Sequence, residues 1–127
     1  MSIRRRMPLA LTLAAMLTIS GTPALAGADT TPPTVPSLLY ADGYQCLEVA
    51  VLFNRSTDNQ DPQSALIYEV FADGAFIGEI WDWGRTPLRG FAYARHPGVS
   101  VITLRTVDTS GNPSAFGNAI PVTTFPC

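Results

Sequence analysis

No lysine occurs anywhere in this 127-residue chain, histidine occurs once, at His96, and cysteine twice, at Cys46 and Cys127. Each scarcity excludes something. Beyond residue 26, five arginines (Arg55, Arg85, Arg89, Arg95 and Arg105) stand against ten acidic residues, so neither nucleic-acid binding nor attraction to an anionic membrane is expected. The single histidine lies in Arg95-His96-Pro97-Gly98, a turn context that suits a solvated loop residue rather than a general base. Histidine and cysteine are too few for a zinc site. Helical periodicity is absent after the first 26 residues, and no second long apolar run follows the first.

The N-terminus carries a targeting pattern. Arg4, Arg5 and Arg6 precede an apolar run from Leu9 to Ile19, and Ala24-Leu25-Ala26 has the small-x-small form of a cleavage site, which predicts a secretory signal peptide over residues 1–26. The apolar run is short and wrongly flanked for a membrane span, so no membrane insertion is expected after cleavage and the product is expected to be secreted. About 100 residues would remain, room for one domain. In an oxidising compartment two cysteines pair by default. A Cys46–Cys127 disulfide would close a loop of about 80 residues and contribute on the order of 4 kcal/mol on the chain-entropy model.

Residues 27–36, centred on Thr30-Thr31-Pro32-Pro33-Thr34-Val35-Pro36, read as a stiff extended lead-in, and residues 37–127 as the domain. Period-two alternation and turn residues divide that domain into seven short strands. The first runs from Pro36 to Ala41, with a turn at Asp42-Gly43; the second from Gln45 to Phe53 presents Leu47, Val49, Val51 and Phe53 on one face. Ile67 to Ala72 is the third, with Tyr68 and Val70 inward. Asp73-Gly74 is the strongest local signal, a two-residue turn that wants positive φ at both positions and sends a fourth strand back from Ala75 to about Ile80. Leu88 to Ala94 is the fifth. In the sixth, Ser100, Ile102, Leu104 and Thr106 share one face. The turn at Asp108-Thr109-Ser110-Gly111-Asn112-Pro113-Ser114 then predicts a hairpin to a short last strand ending near Asn118. Seven strands so spaced predict an all-β, antiparallel β-sandwich.

Four pieces of sequence resemble a fibronectin type III domain of the bacterial secreted kind: Asp29-Thr30-Thr31-Pro32-Pro33, Ser56-Thr57-Asp58-Asn59, Tyr68 to Gly74, and Arg105 to Ser114. The resemblance covers about Asp29 to Phe125 and implies an immunoglobulin-like sandwich. It also implies that Cys46 and Cys127 meet at one pole. Two positions depart from the family pattern: Phe53 stands where a buried tryptophan is usual, and Ser100 where a corner tyrosine is usual. Compensating aromatics are expected elsewhere.

Catalysis is not expected, because paired acids facing each other across a cleft are hard to build on a small sandwich. Nor is a cofactor. Asp58, Asp61 and Asp108 lie on two loops at one predicted pole and could hold calcium; the simpler reading is that Asp58 and Asp108 tie off their own loops by hydrogen bonds to backbone N–H groups. The aromatic residues are more informative. In Trp81-Asp82-Trp83-Gly84 an extended backbone would point both indoles the same way beside an acid, which suits stacking on sugar rings or a protein hot spot. Alternatively, one indole covers the gap at Phe53. Arg85 and Phe76 extend the candidate patch. The expected role is a secreted, non-catalytic binding or adhesion module for an extracellular protein or polysaccharide. The alternatives are a hydrolase inhibitor acting through the Trp81 to Arg89 loop, or a structural spacer. Oligomeric state is left open by the exposed edge strands.

Overall fold

In the computed structural model the described residues are 28–127. The predicted signal peptide lies outside them. Seven strands follow one another: β1 (Ser37–Gly43), β2 (Glu48–Asn54), β3 (Ile67–Ala72), β4 (Ala75–Trp81), β5 (Leu88–Tyr93), β6 (Gly98–Val107) and β7 (Ile120–Thr124). They form a three-stranded sheet in the order β1-β2-β5 and a four-stranded sheet in the order β4-β3-β6-β7. Every strand pair is antiparallel. A 3-10 turn at Gln63–Ala65 interrupts the long loop before β3.

The alternation read from the sequence places the core. Val49, Val51 and Phe53 of β2 face Tyr68 and Val70 of β3, Leu88 of β5, and Ile102 and Leu104 of β6 across the two layers. Each such side chain stabilises the fold by roughly 1.5–3 kcal/mol relative to exposure. The aromatic expected to make up for the tryptophan missing at Phe53 is Tyr68, within this core. Phe53 packs against Tyr68 with ring centroids 4.7 Å apart, and the Tyr68 hydroxyl accepts a hydrogen bond from Ser56 N (2.9 Å), fixing the loop after β2. Ser100, where the resemblance leads one to expect a tyrosine, is buried and its Oγ has no hydrogen-bond partner.

The hairpin at Asp73-Gly74 forms as expected, with φ of 51° and 81°. Two other turns fall elsewhere. Asp42-Gly43 remains in β1, and the chain reverses four residues later, at Cys46 and Leu47, which take φ of 59° and 65° despite their Cβ atoms. That reversal brings Cys46 to Cys127, and the disulfide joins them with Cα atoms 4.2 Å apart. The last strand also lies later than expected. After Asp108 the chain passes through an irregular stretch in which Gly117 N donates to Leu104 O (2.9 Å) and the Asn118 side chain pairs with both backbone groups of Leu38 (2.8 and 3.0 Å). Pro113 supplies no donor to a ladder. Pro113 makes only an isolated bridge with Val107, and regular pairing with β6 begins at Ile120.

Candidate functional site

Between β4 and β5 the chain crosses from one sheet to the other, and Asp82 pins the crossing. Its buried carboxylate accepts from Arg55 Nε and Nη2 (2.8 Å each), from Gly84 N (2.9 Å) and from the Tyr68 hydroxyl (3.3 Å). Asp82 is therefore not an acid beside the indoles; it belongs to a buried network. With Asp82 turned in, its neighbours turn out: Trp81 is 68% and Trp83 55% exposed, and neither fills the core.

The two indoles sit on different sheets. Trp81 Nε1 donates to Glu79 Oε1 on β4 (2.9 Å), whereas Trp83 Nε1 donates to Arg89 O on β5 (3.1 Å). The Arg85 guanidinium lies 5.3 Å from the Trp83 ring centre, within cation–π range. Trp83, Arg85, Leu52, Pro87 and Arg89 share one recess of about 240 Å³; Trp81 lines another, with Leu66 and Ile67. Phe76 lies five residues from Trp81 along β4, roughly 17 Å at strand spacing, and packs edge-on against Phe71 (5.8 Å). The structure thus brings Trp83 and Arg85 together and leaves Trp81 and Phe76 apart from them.

A larger aromatic surface lies beside Trp83. On β5, Leu88, Gly90 and Ala92 face inward while Arg89, Phe91 and Tyr93 face outward, Phe91 and Tyr93 each more than half exposed. Pairing puts Arg89 opposite Leu52, Phe91 opposite Ala50 and Tyr93 opposite Glu48. One strand further, Tyr40 stands opposite Leu52 and Asp42 opposite Ala50. The outer face of the three-stranded sheet therefore carries Tyr40, Phe91 and Tyr93 among Asp42, Glu48 and Arg89. The Tyr40 hydroxyl donates to Asp42 Oδ2 (2.7 Å). That bond raises the phenol above its ordinary pKa and lowers the carboxyl. The sequence reading did not single out this face. Its signal was present in the alternation Leu88-Arg89-Gly90-Phe91-Ala92-Tyr93, in which the larger residues alternate with small ones.

At the loop pole, Asp58 Oδ2 accepts from Gln60 N (3.1 Å) and Asp61 N (3.0 Å). Asp108 Oδ1 accepts from Ser110 N (3.0 Å) and Asn112 N (2.8 Å), and its Oδ2 from Asn112 Nδ2 (3.0 Å). Burial pushes the Asp108 carboxyl up, but these donors, led by Asn112, outweigh it and hold it below the usual carboxylate range. Asp61 is turned toward Thr109, whose N and Oγ1 both donate to it (2.7 and 2.8 Å). Of the three acids considered for calcium, Asp58 and Asp108 come together, and the third carboxylate beside them is Asp29. His96 is a loop residue, its Nδ1 2.8 Å from Pro97 O.

No family model matches the chain, and no curated protein matches it in sequence. Solved structures do. The chain is similar to the Clostridium thermocellum CbhA fibronectin(III)-like modules at 15% identity and a TM-score of 0.53, over 75% of this chain and 47% of that one, so it spans about half the length of that structure. It is also similar to the fibronectin type-III domain of human fibronectin type III domain containing protein 3, at 11% identity and a TM-score of 0.50, over 80% of this chain and 94% of that one. At these identities the likeness concerns the fold, which is fibronectin type III-like.

Proposed function

We propose that the protein is a secreted, non-catalytic module that binds a polysaccharide on the outer face of its three-stranded sheet. The observation that carries this reading is the outward placement of Phe91 and Tyr93 on β5, with Tyr40 across the sheet and Trp83 at its edge. Rings separated by charged and hydrogen-bonding neighbours suit a ligand that is itself apolar on its ring faces and polar at its rim. The outer face supplies both, since Arg89, Asp42 and Glu48 alternate with the aromatics. The disulfide supports an oxidising destination.

The test uses Trp83 as reporter in a Trp81→Phe background, because both indoles are exposed. Its emission is expected to be quenched by acrylamide and to shift on titration with soluble β-glucan, xylan or chitin oligosaccharides, and Phe91→Ala should weaken that shift. A spectrum that none of these polymers changes would remove the polysaccharide reading. A second reading rests on the Trp81 to Arg89 loop, which Asp82, the Arg55–Thr86 bond (3.2 Å) and the Trp83–Arg89 bond hold in one shape. A pre-shaped loop is what an inhibitor needs. Stoichiometric inhibition of an extracellular amylase or protease would favour that role.

A further inference from the structure

Asp29 stands eight residues ahead of β1, yet it is held against the loop pole. Its backbone oxygen accepts from Asn112 Nδ2 (2.9 Å) and its Oδ1 from Thr31 N (3.0 Å). The segment that carries it is docked as well: Thr34 N donates to Thr57 O (2.9 Å), and Thr57 N to Thr34 Oγ1 (2.8 Å). Asp29, Asp58 and Asp108 each bring a carboxylate oxygen to within 4.8 Å of the other two, and Asp108 is only 5% exposed.

Tying off loops explains most of these oxygens but not all. Both oxygens of Asp108, Oδ2 of Asp58 and Oδ1 of Asp29 receive N–H donors. Asp29 Oδ2 and Asp58 Oδ1 are sealed from solvent and receive none. A buried acceptor without a partner is costly, and here two occur in one cluster of like charges. No arginine relieves them: among the described residues the arginine ion pairs join Arg55 to Asp82 and Arg105 to Glu69. Lysine is absent from the sequence.

We propose that Asp29, Asp58 and Asp108 form a calcium site. Two oxygens on one calcium ion, each at about 2.4 Å, lie at most about 4.8 Å apart, and the oxygens of this trio all lie within that distance of one another. An all-oxygen donor set without imidazole or thiolate selects a hard cation. The ligands come from three separate chain segments, which suits the adaptable shell of calcium better than the rigid octahedron of magnesium; water and backbone carbonyls complete the shell. The ion staples the segment ahead of β1 to the loops following β2 and β6, so it stiffens the approach to the sandwich as well as the pole.

The experiment is calorimetric titration of the full chain, stripped with EDTA and returned to chelator-free buffer, with calcium chloride and then magnesium chloride. One calcium per chain is expected, with a rise in Tm on adding about 1 mM calcium and with magnesium binding weaker. Asp29→Asn removes a ligand from outside the sandwich, so it should melt in EDTA like the parent protein while its calcium affinity falls at least about tenfold. Glu79→Gln, on β4, should bind as the parent does. No heat and no Tm shift at millimolar calcium would overturn the proposal. So would an unaltered affinity in Asp29→Asn, or equal binding of magnesium.

Discussion

Strands β3 and β5 alternate with the same period and place their bulk on opposite faces. β3 turns Tyr68, Val70 and Ala72 into the core, and its outward Phe71 is covered by Phe76 and Phe116, with the Arg105 guanidinium over the ring. β5 turns Leu88, Gly90 and Ala92 inward and leaves Phe91 and Tyr93 exposed. The reason is Ile80, which crosses above Gly90 so closely that a Cβ there would overlap its side chain. At Gly90 the core has no room for a side chain, although Leu88 on the same face is fully buried. Phe91 and Tyr93 are thus left on the outer face, the surface proposed above for ligand contact.

The sharpest test of that contrast is truncation on the two strands. Tyr68→Ala should cost about 3–5 kcal/mol in urea unfolding, since it empties a fully buried ring site and strands Ser56 N. An effect below 1 kcal/mol would mean that β3 does not hold the core. Next comes the inner face of β5: Gly90→Val, which drives a branched side chain into Ile80, should destabilise by about 1–3 kcal/mol in the same assay. A neutral Gly90→Val would show that the space for bulk was there all along. A narrower effect is confined to alkaline solution. Burial, aided by the Asp82 charge, lifts the Tyr68 hydroxyl to about 12. The unfolded chain gives up this proton near pH 10, so stability present below that pH is lost as pH rises through about 12. Tyr68→Phe should shrink that alkaline limb in a plot of unfolding free energy against pH, leaving the part due to Tyr40, and an unchanged limb would contradict the assignment to Tyr68. The smallest expected change is on the outer face, where Phe91→Ala or Tyr93→Ala should alter stability by no more than about 1 kcal/mol. A larger loss would make these rings structural.

Where turn chemistry was local, the sequence disclosed the fold. Asp73-Gly74 carries its positive φ in residue types that favour it, and β3 and β4 followed within a residue. Cys46 and Leu47 adopt the same geometry without such chemistry, so the first turn was read at Asp42-Gly43, where the composition pointed. The late start of β7 depends on Asn118 meeting Leu38, a contact eighty residues apart that no local pattern announces. At the site the same division holds. The exposure of Trp81 and Trp83 was half visible in their alternation with Asp82, but which sheet each indole joins is set by hydrogen bonds to Glu79 and Arg89. Asp29 lay in a segment whose prolines and threonines read as a linker. Only folding places it beside Asp58 and Asp108.

The central claim is that the outer face of β5 exists to bind. It is tested most directly by depletion of the protein from solution by insoluble cellulose, chitin and xylan, comparing the parent with Phe91→Ala/Tyr93→Ala after both are shown to unfold at similar urea concentrations. The account predicts that at least one of these polymers depletes the parent and that the double variant stays in solution. Equal depletion of the two proteins, or none of either, would contradict it.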